Sequence, residues 1–277
     1  MTANRMKSSG FSYATYGPET GPPLLLLHGI PGSSHAWEEV GATLGASGFR
    51  VLIPDLLGFG GSDEPTGDGY MEEQASGLYS LLTELGIRQP YIGAHDFGGP
   101  VALTLLRLFP SVQPRGLLLS ATNTFTDTPI PFPLRSAKVP LLGRIVFRAM
   151  AGSRFGGRMM YSQAFRNKSP ASRERYERHL TPRGLRRTAW IFRTSLADLP
   201  KHYAAVEAQL ARIECRTLIV WGDRDPFFPV DVAQRMHRSI PGSELVVLEN
   251  TGHFVPEERP ERIAAEMKEF FGSEERR

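Results

Sequence analysis

The sequence predicts an α/β architecture in which a mostly parallel sheet is flanked by helices and interrupted by an inserted helical segment. Three observations carry that expectation. Short apolar runs of β character alternate with stretches of helical periodicity. One of these runs ends in a small-x-Asp-x-Gly-Gly turn that passes directly into a helix. Residues 131–193 hold fifteen Lys and Arg against two acids, Glu174 and Glu177, a local charge of +13 in a chain whose net charge is +3.

In chain order, Met1 to Gly10 lack the apolar core of a signal peptide. The strand candidates are Leu24 to His28, Val51 to Pro54, Tyr91 to Ala94, Leu117 to Ala121, Thr217 to Trp221 and Glu244 to Leu248. Between them, Met71 to Leu85 sets Leu78, Leu81, Leu82 and Leu85 on one helical face, and Gly99 to Phe109 and Glu261 to Phe271 repeat that spacing. Gly86, Pro110 and Gly242 sit where helices should stop or turns begin. From Asp127 to about Tyr203 strand alternation is missing. Pro129, Pro131, Pro133 and Pro140 break the start of that stretch, and apolar residues then recur at helical spacing. The charged tail, Gly272 to Arg277, should fray. The chain is thus expected to divide into a first core part at 1–126, a basic helical insertion at 127–205 and a second core part at 206–277.

A length of 277 residues is enough to bury a core without disulfides or structural metal. The lone Cys215 cannot form an intrachain disulfide, which points to a reducing cytoplasm, and no Cys/His set has zinc spacing. No apolar run approaches the ~20 residues of a spanning helix. Neither a cofactor nor a metal is expected.

The most informative segment is Tyr91-Ile92-Gly93-Ala94-His95-Asp96-Phe97-Gly98-Gly99-Pro100. A strand that turns through small residues into a helix can hold one strained side chain above the sheet, and here that residue is Asp96. The plain alternative is that Asp96 caps the following helix. Two further segments bear on the choice. Thr217 to Pro226 places Asp223 and Asp225 just beyond a strand, and Asn250-Thr251-Gly252-His253-Phe254 places a histidine after the last one. Nucleophile, acid and histidine in that order, all past strand carboxyl ends, match a hydrolase triad at the site-bearing edge of an open α/β sheet.

These segments, with His28-Gly29-Ile30-Pro31 and Asp55 to Ser62, give the chain its resemblance to the α/β-hydrolase fold, in the branch of epoxide hydrolases and haloalkane dehalogenases. The resemblance implies that the basic insertion is a helical cap. It also implies that the backbone N–H groups of Ile30 and Phe97 form an oxyanion hole, and that Asp225, later in its turn than Asp223, is the acid that orients His253.

Aspartate at the turn selects a chemistry. A carboxylate with a reference pKa near ~3.9 is already ionised and needs no base to become a nucleophile. Attack on an ester carbonyl would give a mixed anhydride, whereas attack on saturated carbon gives an alkyl ester that His253 could hydrolyse by activating water. The resemblance gives dehalogenases a Trp directly after the nucleophile and often an Asn in the His-Gly-Asn-Pro position; this chain has Phe97 and Ile30, neither able to donate from its side chain. The Arg expected after the nucleophile of a fluoroacetate-type dehalogenase is also absent. Asn123, near where some dehalogenases keep their acid, is an amide and cannot serve. An epoxide needs an acid for its opening oxygen, which the family draws from cap tyrosines. Tyr161, Tyr176 and Tyr203 are the candidates, each with an alternative as a packing residue, and Trp190 could supply an indole N–H to a halide. Trp37 and Trp221 read as core or pocket wall.

The expected substrate is small and largely apolar, an epoxide first and a haloalkane second. A non-catalytic ligand-binding role is the alternative from another class. The basic insertion, with Phe147, Met150, Phe155, Met159 and Met160 interleaved, could attract anionic substrates or face an anionic membrane, or be a solvated surface. No nucleic-acid motif accompanies the charge. Oligomeric state stays open.

Overall fold

A computed structural model describes residues 3–130 and 134–272. Its sheet has eight strands: β1 (Asn4–Ser8), β2 (Phe11–Tyr16), β3 (Pro23–Leu27), β4 (Arg50–Pro54), β5 (Tyr91–His95), β6 (Gly116–Ser120), β7 (Arg216–Gly222) and β8 (Glu244–Leu248). They lie in the order β1-β2-β4-β3-β5-β6-β7-β8. β2 pairs antiparallel with both β1 and β4, and the remaining pairs are parallel.

Helices cover both faces. α1 (Glu38–Ala46) and, at the far end of the chain, Pro260–Gly272 pack on one side, with Leu24, Leu26, Tyr91, Leu118, Leu218 and Val220 turned toward them. α2 (Met71–Glu84), α3 (Gly98–Leu108) and Val230–Ser239 pack on the other, against Leu25, Leu27, Ile92, Ala94, Leu119 and Ile219. Strands buried on both faces read as unbroken apolar runs because their alternate side chains serve two cores.

Between β6 and β7 come α4 (Pro140–Met150), α5 (Arg154–Ala164), α6 (Pro170–His179), α7 (Pro182–Ala197) and α8 (Leu199–Leu210). The first four make up the insertion expected as a cap. The boundary drawn at residue 205 falls inside α8, whose face of Leu199, Tyr203, Val206 and Leu210 belongs to the α3-side core. After β7 follow α9 (Val230–Ser239), the short α10 (Val255–Glu258) and α11 (Pro260–Gly272). Pro131, Pro133 and the tail past Gly272 lie outside the described residues. Among those described, no helix is long and apolar enough to cross a membrane.

Cap and core meet through opposite charges. From α6, Arg175 pairs with Glu39 and Arg178 with Glu38 at 3.2 Å; from α7, Arg183 pairs with Glu64 at 2.6 Å. Beneath them the imidazole of His179, fully buried, lies 3.3 Å from Glu257 and 3.0 Å from the Ser33 hydroxyl. The exposed pairs contribute little each.

Candidate active site

The strand order reverses between β3 and β5, since β4 lies to one side of β3 and β5 to the other. Carboxyl ends of strands at such a switch point leave a crevice, and this one receives Gly29-Ile30 from β3 and Asp96 from β5.

Asp96 has φ +50, a left-handed conformation that costs a non-glycine residue free energy and persists only where the surroundings impose it. They do so tightly. The Asp96 N–H donates to Ser120 at 3.1 Å, and its carbonyl accepts from the Thr122 hydroxyl at 2.6 Å and the Gly99 N–H at 3.0 Å. A Cβ on Gly98 would lie 2.7 Å from the Leu27 carbonyl, and one on Gly29 would lie 2.3 Å from the Asp96 Cβ. The small residues of the motif are therefore there for close approach.

The Asp96 side chain does not cap α3, whose N-cap is Phe97 without a side-chain bond. Oδ1 accepts the Ile30 N–H at 2.7 Å, and Oδ2 lies 3.6 Å from Nε2 of His253. Phe97 follows at the head of α3, where helix geometry gives its N–H no intrahelical acceptor. His28 and Asp55 do not reach the carboxylate and instead fix the Ile30 loop. His28 donates from Nδ1 to the Gly29 carbonyl at 2.8 Å and accepts the Leu56 N–H on Nε2 at 2.9 Å. Burial lowers its pKa to about 4, consistent with that neutral tautomer.

Nδ1 of His253 lies 2.8 Å from Oδ2 of Asp225, whose Oδ1 accepts the N–H groups of Phe227 and Phe228 at 2.8 and 3.0 Å. The rival acid, Asp223, accepts the Thr251 N–H and pairs with Arg224. Asn123 bonds to Phe125 and Thr128. The rings of Phe227, Phe228 and Phe254 stand edge-on around His253. Its N–H donates to the Ala164 carbonyl at the end of α5, and its carbonyl accepts from His95.

Charge reinforces this geometry. Burial opposes a charged imidazole, but Asp225 and Asp96 outweigh it and push the His253 pKa up to about 10. Burial likewise opposes ionisation of Asp96; the hydrogen bond and charge of His253, with His95 and the Ile30 N–H, reverse that and hold the carboxyl below its usual range. Both shifts run in the direction that favours a carboxylate facing an imidazolium.

Of the four leaving-group candidates, Tyr203 comes under the charge of Asp96; burial, with that charge, moves its hydroxyl up to about 12. Ser195 and Tyr70 act on the same hydroxyl, and the Tyr70 hydroxyl lies 2.6 Å from that of Ser195. Tyr70 also packs on the Phe97 ring, with centroids 5.7 Å apart. Trp190 borders this group, 6.1 Å from the Tyr70 ring and beneath the Arg187 guanidinium. Tyr161 and Tyr176 lie elsewhere, in a cap cluster with Phe165, Leu180 and Phe254. The Tyr161 hydroxyl is 3.0 Å from that of Ser172, and burial with the charge of Glu257 raises Tyr176 well above its ordinary value. Trp37 and Trp221 donate to the carbonyls of Leu27 and Phe228 inside the core.

Sequence reasoning missed Tyr70 and Ser195. Tyr70 precedes α2 in the core, outside the cap from which the resemblance draws its donors. Ser195 carries no signal beyond being a small polar residue on a buried helical position.

Residues 22–260 match the profile of the alpha/beta hydrolase fold. The chain belongs to that family. Among relatives of this hydrolase, haloalkane dehalogenase 2 of Mycobacterium tuberculosis is 29% identical over 264 residues, covering 91% of this chain and 89% of its own. A thermophilic esterase from Thermogutta terrifontis superposes with a TM-score of 0.80 at 26% identity over 99% of both chains. The epoxide hydrolase CorEH superposes with a TM-score of 0.72 at 22% identity, over 98% of this chain and 99% of its own, a likeness of fold alone.

Proposed function

We propose that this hydrolase opens an epoxide through a covalent ester on Asp96 and releases a diol, without a cofactor. The observation that carries the reading is an aspartate at the strained turn, one oxygen held by the Ile30 N–H and the other facing His253, with its charge felt by the buried Tyr203 hydroxyl.

In the first step Oδ2 of Asp96 attacks an epoxide carbon and the C–O bond breaks. The departing oxygen takes the Tyr203 proton, which that phenol keeps until a stronger base forms beside it. Esterification removes the Asp96 charge, one of the two anions that hold His253 protonated. The imidazolium can then return a proton to Tyr203 through solvent and become a neutral base. In the second step His253 takes a proton from water and the hydroxide adds to the ester carbonyl. The Ile30 and Phe97 N–H groups stabilise the resulting oxyanion, a donor of this kind contributing about 3 kcal/mol. Collapse passes a proton to the departing alkoxide, releases the diol and restores the ion pair.

Haloalkane dehalogenation is the second reading, favoured by the similarity to haloalkane dehalogenase 2 and by the Trp190 indole beside the cluster. Intact-mass spectrometry of a His253→Gln variant separates the two. An epoxide adds its whole mass to the protein, a haloalkane adds its alkyl group without the halogen, and neither adduct forms in Asp96→Asn. Steady turnover of either substrate class by Asp96→Asn without deamidation contradicts the covalent route.

A further inference from the structure

The cap turns outward a face that the proposed chemistry leaves unused. On α4, Leu141 is 71% exposed and Ile145, one turn along, 61%, with Leu142 beside them; on α5, Phe155 is 78% exposed and Met159 lies one turn further on. Cations repeat at the same four-residue spacing, Arg144 with Arg148 and Arg154 with Arg158, so each apolar row has a basic row next to it. Residues 128–173 contain nine Lys and Arg and no Asp or Glu. Arg154 and Arg158 meet Glu177 of α6, while Lys138, Arg144 and Arg148 stand exposed.

This face is a formed one. The inner side of α4 is anchored by Phe147, 2% exposed and packed with Ala137, Ala151 and Ala189. Phe147 is thus a packing residue and leaves the surface role to Leu141, Ile145 and Phe155, which periodicity alone does not single out. Exposed apolar rows edged by cations suit a lipid interface, where the apolar side chains enter the acyl boundary and the cations meet headgroup phosphates. A second copy of the chain fits less well. Self-pairing about a two-fold axis would set this acid-free segment against itself.

We propose that the α4–α5 face of the cap docks on an anionic lipid surface. The test is co-sedimentation of the full chain with vesicles of phosphatidylglycerol in phosphatidylcholine and with phosphatidylcholine alone, at low and high ionic strength, alongside sedimentation velocity without lipid. Binding is expected on the anionic vesicles only, released by salt. Leu141→Asp with Ile145→Asp should weaken it at least about tenfold, as should Arg144→Glu with Arg148→Glu, both with an unchanged circular dichroism melt. The proposal is overturned if anionic vesicles sediment no protein at low ionic strength, or if the Asp variant binds as well as the parent. A dimer in sedimentation velocity that the aspartates dissociate overturns it too and assigns the face to a second copy.

Discussion

Replacing Asp225 by asparagine should separate the two halves of the proposed reaction. The Phe227 and Phe228 N–H groups at 2.8 and 3.0 Å both donate to Oδ1. In Asp225→Asn those donors hold the amide oxygen in the same place, so the NH2 group faces Nδ1 of His253 at the former 2.8 Å contact. Two donors cannot share that contact, and the imidazole must present Nδ1 as acceptor and carry its proton on Nε2. That nitrogen is the one that faces Asp96 and must take a proton from water. A wrong tautomer of this kind slows the base-dependent step about 10⁴-fold, or about 5 kcal/mol at roughly 1.4 kcal/mol per decade. Alkylation needs no base and should change by no more than about tenfold. Rapid quench with intact-mass detection should therefore show a burst of one substrate adduct per chain, followed by a stall. Multiple turnover at the parent rate, or no burst at all, would refute the reasoning about Asp225.

Other expectations follow from neighbouring contacts. Tyr203→Phe should slow the epoxide burst by about 10² to 10³ and leave a haloalkane burst within a few-fold, because only the opening epoxide needs its proton; equal effects on both would remove Tyr203 from the acid role. His253 has its pKa raised on folding to about 10, so its contribution to stability is present below its unfolded value and is lost as pH rises toward the folded one. The melting temperature should accordingly fall between about pH 6.5 and 10, and the His253→Gln variant should lose most of that slope in a calorimetric pH series. Gly29→Ala would set a methyl 2.3 Å from the Asp96 Cβ, and alkylation measured by mass spectrometry should drop at least about 10²-fold through misplacement of the carboxylate.

The parts of the fold that are legible in the sequence are those that bury both faces of a strand. β3, β5 and β6 are unbroken apolar runs for that reason. β1 escapes because it is an exposed edge strand of largely polar residues, where nothing forces an apolar pattern. α1 is hidden by Gly41 and Gly45, which resemble helix breakers. A Cβ on either would come within 2.7 Å of a side chain, at the Ile53 Cδ1 and the Tyr16 Cβ, so the glycines serve close packing on the sheet. In the site, Asp96, Asp225 and His253 announce themselves by standing just past strand ends in a fixed order. The hydroxyl cluster does not, because Tyr70, Ser195 and Tyr203 come from three separate segments that only the folded chain assembles. One cue for Tyr203 was present: Leu199, Tyr203, Val206 and Leu210 follow helical spacing and put the tyrosine on the buried face of α8.

The bond from the His253 N–H to the Ala164 carbonyl ties the cap to the proposed base. Glu258 doubles the tie, since one of its oxygens accepts the N–H groups of Arg166, Asn167 and Gly252. A cap secured there cannot lift as a rigid unit without pulling the imidazole out of line with Asp96. α4 stands apart from that tie and packs onto α5, α7 and the Leu134–Lys138 turn. The outward row of Phe155 and Met159 shares α5 with Ala164, so a surface that held that row would bear on the same helix whose end fixes the His253 backbone.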